Sequence, residues 1–289
     1  MRLPIFFSNF ANMRPTITIR GKLYSFDTPK VMGIVNATPD SFFSESRTPD
    51  YLSIKKRIEK MINEGVDILD LGGCSTRPGA PEISAEEEYE RLLPALDVAR
   101  SLAPEIPVSI DTFRASVARK CVEEWKADII NDISGGTLDH AMAETVAELK
   151  VPYILMHLRG TPADMQTHTD YEDVVADVLK DLAFKIADLR QLGVANVIVD
   201  PGFGFAKTVE QNFRLLDCLE VFRHLECPIL VGISRKTMIW KTLGCTPAEA
   251  LNGTTVLNTT AILKGADILR VHDVAEARQC VALTNCLKD

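Results

Sequence analysis

Polar or charged side chains stand at or near the carboxyl ends of eight short apolar runs of this sequence. They are Asn36, Thr76 with Arg77, Asp111, Asn131, His157, Asp200, Ser234 with Lys236, and Arg270 with His272. A single aspartate or asparagine in such a place is equally well explained as a helix cap or turn residue. His157, which follows four apolar residues, is better explained as a structural histidine. The recurrence of such groups after every run, with lysine and arginine among them, favours one shared ligand site.

The types of these side chains suit a flat heterocycle that carries an amidine-like edge. A buried carboxylate beside an amide, such as Asp200 and Asn131 would provide, can bind both the donors and the acceptor of that edge. The guanidinium of Arg270 can stack on the same ring, and Lys236 can donate to an exocyclic oxygen or a ring nitrogen. The sequence therefore predicts a site for a nitrogen-rich aromatic ring.

A second group of these side chains suits an anion. A diphosphate would have suitable partners in Asn36, Thr76, Arg77, Arg270 and His272, and a magnesium ion could bridge it to the protein. The two groups would leave space for a second substrate close by.

The eight apolar runs alternate with amphipathic stretches, which is typical of parallel strands covered by helices. The runs span residues 31–35, 66–71, 107–111, 128–133, 153–157, 196–200, 228–233 and 267–272. Because no linker divides them, we predict one closed (β/α)8 barrel domain over residues 15–289, which begins with a short hairpin in TITIRGKLYSF. Residues 1–14 are predicted to be a disordered leader, and an open, doubly wound sheet is the alternative fold. Such barrels carry their sites at the carboxyl ends of the strands, where the polar side chains stand.

The composition argues against several kinds of partner. The net charge of −8 disfavours a nucleic-acid or anionic-membrane surface, because those partners need a broad basic face. The seven cysteines are scattered without a Cys-x-x-Cys pair, which indicates reduced thiols in a cytoplasmic protein. No apolar run has the length of a membrane span.

Eight motifs of the sequence, in this order, resemble the dihydropteroate synthases. They are GIVNATPDSF (33–42), DLGGCSTRPGA (70–80), SIDT (109–112), NDISGG (131–136), LMHLRGTPADMQ (155–166), DPGFGFAKT (200–208), VGISRK (231–236) and RVHDV (270–274). The resemblance implies a (β/α)8 transferase of folate synthesis with Mg2+ as cofactor. Such an enzyme joins p-aminobenzoate to 6-hydroxymethyl-7,8-dihydropterin diphosphate and releases pyrophosphate. It also implies a homodimer and competition by sulfonamides, which resemble p-aminobenzoate.

The resemblance assigns site residues to three ligands. The pterin would lie between Asp111, Asn131, Asp200 and Lys236, with Met156 beneath it and Arg270 stacked over it. The diphosphate would contact Thr76, Arg77, Arg270 and His272, with Mg2+ held by Asn36. The p-aminobenzoate ring would lie against Pro78 and Phe205, with its carboxylate near Ser234. The residues assigned to catalysis are Asp111, Lys236 and Arg270.

The reaction that the resemblance implies is dissociative. Cleavage of a carbon–oxygen bond leaves a delocalised pterin-methyl cation, which the neutral aromatic amine attacks. Electrostatic stabilisation of the leaving diphosphate then matters more than a general base. Loops 36–50 and 73–82 are expected to close over the diphosphate. Cys74, Ala206 and residues 42–47 depart from the family's usual pattern, which concerns loop closure more than the pterin pocket.

Three other functions explain the sequence less well. A corrinoid methyltransferase would also bind a pterin, but it has no use for Thr76-Arg77-Pro78, Ser234 or the RVHD motif. A pterin-binding protein without catalysis would be expected to lack Asn36, Arg77 and His272. A P-loop nucleotide hydrolase is disfavoured because VDPGFGFAKT lacks the required spacing before Gly-Lys-Thr.

Overall fold

The computed structural model of the protein describes residues 15–37, 51–75 and 81–287. Three predicted site residues, Thr76, Arg77 and Pro78, lie outside these described residues. The predicted leader and most of the two loops expected to close over the diphosphate also lie outside them. The other predicted site residues all lie within the described part of the chain.

A short antiparallel hairpin, β1 (Thr16–Ile19) and β2 (Lys22–Ser25), precedes eight parallel strands. These strands are β3 (Lys30–Asn36), β4 (Ile68–Gly72), β5 (Val108–Asp111), β6 (Ile129–Asp132), β7 (Tyr153–Met156), β8 (Val197–Asp200), β9 (Leu230–Val231) and β10 (Ile268–Val271). They pair in chain order from β3 to β8, and β10 lies between β9 and β3. A bridge between Val199 and Ile229 joins β8 to the start of β9 and closes the ring. The predicted (β/α)8 barrel and its hairpin are confirmed, and the open-sheet alternative is wrong.

Helices follow the strands and cover the outside of the barrel. In the described residues they are α1 (Tyr51–Asn63), α2 (Ala85–Leu102), α3 (Ala115–Trp125), α4 (Met142–Leu149), α5 (Val174–Gln191), α6 (Val209–Asp217), α7 (Thr237–Leu243), α8 (Leu251–Leu263) and α9 (Val274–Asn285). Their apolar faces pack on the strands in the main hydrophobic core. Within the described ranges, the helices lack the combination of length and apolar composition that a membrane crossing requires.

The hairpin closes the amino-terminal end of the barrel, which we call the base. Ile17, Ile19 and Phe26 pack there against a layer of inward-facing side chains from seven strands. The layer consists of Met32, Ile68, Ile129, Ile154, Ile198, Leu230 and Ile268. Full burial of such a side chain contributes about 1.5–3 kcal/mol. The base is therefore a hydrophobic core rather than a ligand site.

Three aspartates at the base, which we call the base aspartates, repeat one arrangement. Asp67, Asp128 and Asp267 each stand directly before an isoleucine that begins a strand. Each accepts a hydrogen bond from a backbone N–H at the start of the neighbouring strand. The donors are Val31 to Asp67 at 2.7 Å, Val108 to Asp128 at 2.9 Å, and Ile229 to Asp267 at 2.9 Å. Each also forms an ion pair with at least one arginine. These contacts hold adjacent strands in register at the closed end of the barrel.

Candidate active site

The carboxyl ends of the strands form the opposite end of the barrel, the mouth, and an arginine lies at its centre. Arg270 of β10 donates from Nε to Oδ2 of Asp70 at 2.6 Å and from Nη2 to Oδ2 of Asp111 at 2.5 Å. Asn131 donates from Nδ2 to the same oxygen of Asp70 at 3.1 Å. Side chains from β4, β5, β6 and β10 thus form one hydrogen-bonded network. It brings together three of the residues that the sequence predicts for the pterin.

Asp70 is the member of this network that sequence reasoning missed. It is fully buried in β4, and its Oδ1 has no hydrogen-bond partner among the residues that the structure describes. A buried charge is costly unless it is paired. The carboxylate within the apolar run VDILDL was therefore a usable signal, since it implies a cation supplied by another strand.

The ionisable groups of the mouth depend on one another. Burial raises the pKa values of Asp111 and Asp200 above the usual carboxyl range, although Arg270 opposes this at Asp111 and Lys236 opposes it at Asp200. Burial lowers the pKa of Lys236 to about 8, with the Asp200 carboxylate acting in the opposite direction. Burial also lowers the pKa of Arg270, but the carboxylates of Asp70 and Asp111 outweigh it and raise that pKa above its usual value. Such clustering of perturbed groups is typical of functional sites.

The end of β8 and the loop that follows it supply a carboxylate and an aromatic ring to the mouth. Asp200, which is only 6% exposed, accepts at Oδ1 the backbone N–H of Gly202 at 2.8 Å. The Nζ atom of Lys236 lies 4.8 Å from the centre of the Phe205 ring. Gly204 has a φ of 80°, and a Cβ atom there would lie 3.0 Å from Cδ of Lys236. The glycine therefore allows this loop to pack closely against the lysine.

An apolar surface lies beside these charges. Met156, the residue expected beneath the pterin, is buried at the end of β7 and pairs in register with Asp200. It belongs to a small hydrophobic cluster whose other members are Ile133, Leu158, Met165 and Ala206, with Phe113 and Phe205 packed against them. A flat ring at this position would contact apolar atoms on one face and polar groups at its edges.

Ser234 and His272 form a second polar pair at the mouth. The Oγ of Ser234 lies 3.0 Å from Nδ1 of His272 and accepts the backbone N–H of the same histidine at 3.2 Å. Burial, followed by the charge of Arg270, lowers the pKa of His272 to about 4, so the imidazole is neutral near pH 7. The resemblance assigned Ser234 to p-aminobenzoate and His272 to the diphosphate. Their direct contact indicates that these two subsites would adjoin.

Arg235 supports the residues on either side of it. Its guanidinium donates to Asp273 from Nε at 2.8 Å and from Nη2 at 3.0 Å, and its Nη1 donates to the backbone oxygen of Ala248 at 2.7 Å. Its backbone adopts a left-handed conformation with a φ of 55°. These contacts fix the short loop that presents Ser234 and Lys236 to the mouth.

Asn36 is the residue predicted to hold the metal. It ends β3 and is exposed to solvent. Its Oδ1 lies close to Gly72, since a Cβ atom added to that glycine would be 3.9 Å from it. In residues 15–37, 51–75 and 81–287, no group of three or more His, Cys, Asp or Glu side chains is placed to hold a metal. Mg2+ usually keeps several waters and takes few protein oxygens beside those of a substrate phosphate. One amide oxygen fits a magnesium ion that arrives with a diphosphate.

The barrel and this mouth define a pterin-binding (β/α)8 enzyme, and the family of pterin binding enzymes matches residues 32–272. The dihydropteroate synthase of Synechocystis is 42% identical over 260 residues, which cover 89% of this chain and 89% of that protein. The chain therefore belongs to the dihydropteroate synthases, the transferases of folate synthesis that its motifs resemble.

Two solved structures show the same fold. A dihydropteroate synthase from Xanthomonas albilineans with 4-aminobenzoic acid is 35% identical, with a TM-score of 0.87 over 96% of this chain and 99% of that one. The Yersinia pestis enzyme in complex with a sulfonamide drug is 32% identical, with a TM-score of 0.87 over 94% of this chain and 98% of that one. Both similarities extend over the barrel and its mouth.

Proposed function

We propose that this protein joins p-aminobenzoate to 6-hydroxymethyl-7,8-dihydropterin diphosphate and releases 7,8-dihydropteroate and pyrophosphate. The observation that carries the proposal is the buried network of carboxylates and cations at the mouth, which lies beside an apolar surface. That combination suits a flat ring with many hydrogen-bonding nitrogens. Family membership supports the same reaction.

We assign the pterin to the space beside Met156. Asp200 would accept the N–H groups of the pterin's amino edge, and Asn131 and Asp111 would bind the remaining ring atoms. Lys236 would donate to the exocyclic oxygen or a ring nitrogen. The guanidinium of Arg270 would stack on the ring, since its two carboxylate partners already hold its plane.

The p-aminobenzoate would lie against the ring of Phe205, with its carboxylate near Ser234. Pro78 is assigned to the same subsite from the resemblance. We expect sulfonamides to compete with p-aminobenzoate there, as the bound drug in the Yersinia pestis enzyme suggests. Inhibition that leaves the KM for p-aminobenzoate unchanged would contradict this assignment.

The diphosphate would lie on the other side of the pterin's methylene group. His272 would donate a neutral N–H to it, Arg270 would contribute charge, and Thr76 and Arg77 are assigned to it from the resemblance. Asn36 would hold Mg2+, which would neutralise part of the diphosphate's negative charge. Removing Mg2+ with a chelator should abolish turnover, and adding Mg2+ again should restore the rate. Turnover that continues in the presence of the chelator would contradict a role for the metal.

The residues of this chain would act by electrostatics and positioning. As the carbon–oxygen bond breaks, both electrons leave with the diphosphate and a pterin-methyl cation remains. Asp111 and Asp200 would stabilise the positive charge on the ring, because both carboxylates would lie beside it at the mouth. The amine nitrogen of p-aminobenzoate then forms the new carbon–nitrogen bond and loses a proton to solvent. No single side chain is assigned as an obligatory general base.

One assay tests the function. Purified protein is incubated with p-aminobenzoate, pterin diphosphate and Mg2+, and pyrophosphate and dihydropteroate are measured together. We expect both products in equal amounts. Pterin binding without product would favour a binding protein, and methyl transfer to a corrinoid would favour the methyltransferase.

We also propose that two copies of the chain form a homodimer through α8 and α9. Large apolar side chains on or beside these helices are exposed, with Val256 at 54%, Leu263 at 62%, Leu283 at 71% and Leu287 at 70%. Exposed apolar patches often mark interfaces. Light scattering would contradict the dimer if it gave the mass of one chain. We further propose a cytoplasmic location, which the scattered, unpaired cysteines support and which cell fractionation can check.

A further inference from the structure

Lys207 is a buried lysine whose ammonium group has three partners. It ends the loop 201–207 and is 3% exposed. Its Nζ atom lies 3.0 Å from Nδ1 of His157, from the backbone oxygen of Gly202 and from the backbone oxygen of Phe205. An ammonium group has three N–H donors. All three are therefore used, and two of them bind carbonyl groups of the loop to which the lysine itself belongs.

The shape of this loop depends on the group at its centre. Gly202 and Gly204 have φ values of 74° and 80°, and Ala206 has a φ of 49°. A Cβ atom on Gly202 would lie 2.1 Å from the backbone oxygen of His157, so the chain passes very close to the end of β7. Carbonyl groups that converge without a donor would be costly in a buried place. The ammonium of Lys207 supplies that donor.

His157 is suited to accept from this lysine. Burial, followed by the charge of Lys207, lowers the pKa of His157 to about 2, so its ring is neutral and Nδ1 can carry a lone pair. Its side chain is 1% exposed, and its ring centre lies 6.1 Å from that of Tyr171. The imidazole is thus the third partner of the ammonium, beside the two loop carbonyl groups.

We propose that Lys207 is a positioning residue for p-aminobenzoate and that His157 acts through it. Lys207 binds the backbone oxygen of Phe205 directly, and the ring of Phe205 is the proposed aminobenzoate surface. Its hydrogen-bonded link to the pterin site is indirect, because it reaches Asp200 through Gly202, although its charge also acts on the Asp200 carboxylate. The position of Asp200 is held as well by the pairing of β8 with β7. Loss of the ammonium should therefore misplace the aminobenzoate surface more than the pterin carboxylate. This inference rests on the proposed function.

Steady-state kinetics with each substrate varied in turn test this role. For Lys207→Met, we expect the KM for p-aminobenzoate to rise about tenfold or more and the KM for pterin diphosphate to change by less than about threefold. His157→Leu should show the same kind of split, and the double variant should be no worse than Lys207→Met alone, since the histidine is proposed to act through the lysine. His157→Asn, which keeps an acceptor near the position of Nδ1, should restore the KM for p-aminobenzoate.

Arg223→Met is the matched control. Arg223 is a cation that binds the backbone oxygen of Gly265 and the carboxylate of Asp267 at the base, far from the mouth. This variant should lose thermal stability while both KM values stay as they are. Equal changes of the two KM values in Lys207→Met, or a loss of stability alone, would overturn the inference. If Lys207→Met does not fold, His157→Leu decides by the same criteria. Absence of product from the wild-type protein would instead reject the proposed function.

Discussion

The base and the mouth of the barrel use the same kinds of residue with opposite consequences. At the base, each aspartate has its own arginine and a backbone N–H donor. At the mouth, Asp70 and Asp111 share the guanidinium of Arg270, and within residues 15–37, 51–75 and 81–287 the Oδ1 of Asp70 has no hydrogen-bond partner. Aspartates at the base stabilise the closed ring, whereas those at the mouth are left for a ligand to complete.

The pKa values reflect this difference. Burial alone would raise the pKa of Asp128 at the base, but hydrogen bonds from Arg20, Val108 and Arg100 outweigh it and hold the pKa below its usual value. At Asp200 burial dominates, and the pKa is raised despite Lys236 and the N–H of Gly202. A buried carboxylate thus stabilises the fold or prepares a binding site according to how many donors surround it.

The largest expected effect is a loss of stability at the base. Asp128→Ala removes the acceptor for two arginines and for the N–H of Val108, which breaks a buried ion pair and should cost about 3–5 kcal/mol of unfolding free energy. Urea unfolding measures this, and calorimetry should find the affinity for pterin diphosphate unchanged in the folded variant. A weaker affinity for pterin diphosphate with normal stability would contradict the conclusion that the base stabilises the fold and the mouth binds the ligand.

The next effect is a loss of binding at the mouth. Asp200→Asn replaces the charged acceptor by an amide of the same shape, so the affinity for the pterin should fall about 100-fold, as expected for loss of hydrogen bonds to a charged group. The unfolding free energy should change by less than about 1 kcal/mol, because a poorly compensated buried charge is removed. Titration calorimetry and urea unfolding separate the two quantities. Near-normal pterin affinity would remove this residue from the site.

A smaller effect concerns pH. Because burial lowers the pKa of Lys236 to about 8, the free enzyme loses this positive charge as the pH rises through that value. The kcat/KM for pterin diphosphate should then fall about tenfold for each pH unit above about 8, since this ratio reports ionisations of the free enzyme. Lys236→Arg should move the fall to higher pH, and Arg223→Met at the base should leave it in place. A profile that is flat up to about pH 10, the ordinary lysine range, would show that this charge is not needed.

Much of the fold could be predicted from the alternation of apolar runs and amphipathic stretches. That pattern is local, since each run needs only β-branched residues and each helix only one apolar face. It placed all eight strands, with ends that differ from the observed ones by a few residues. The largest difference is at β9, where the run 228–233 forms a strand only over Leu230–Val231.

The site was predicted in part, because residue type reveals chemistry but not partners. Asp111, Asn131 and Arg270 were identified from their places near the ends of the apolar runs. Asp70 was missed because the partners that the described residues offer it come from the distant strands β6 and β10. Lys207 stands in DPGFGFAKT, and neither the family motif nor the disfavoured P-loop alternative predicts its partners. Its actual partners are carbonyl groups and a histidine 50 positions away.

The sequence by itself determined the barrel, the order of its strands and the set of polar residues at their ends, because these follow from local periodicity and from recognisable motifs. The tertiary structure decided which of these residues touch and which charges are compensated. In the folded barrel, Asp70 and Asp111 both pair with Arg270, and Ser234 contacts His272. Lys207 is buried within its own loop. The reason is physical: burial and distance set the strength of charge interactions, and both exist only when distant strands meet.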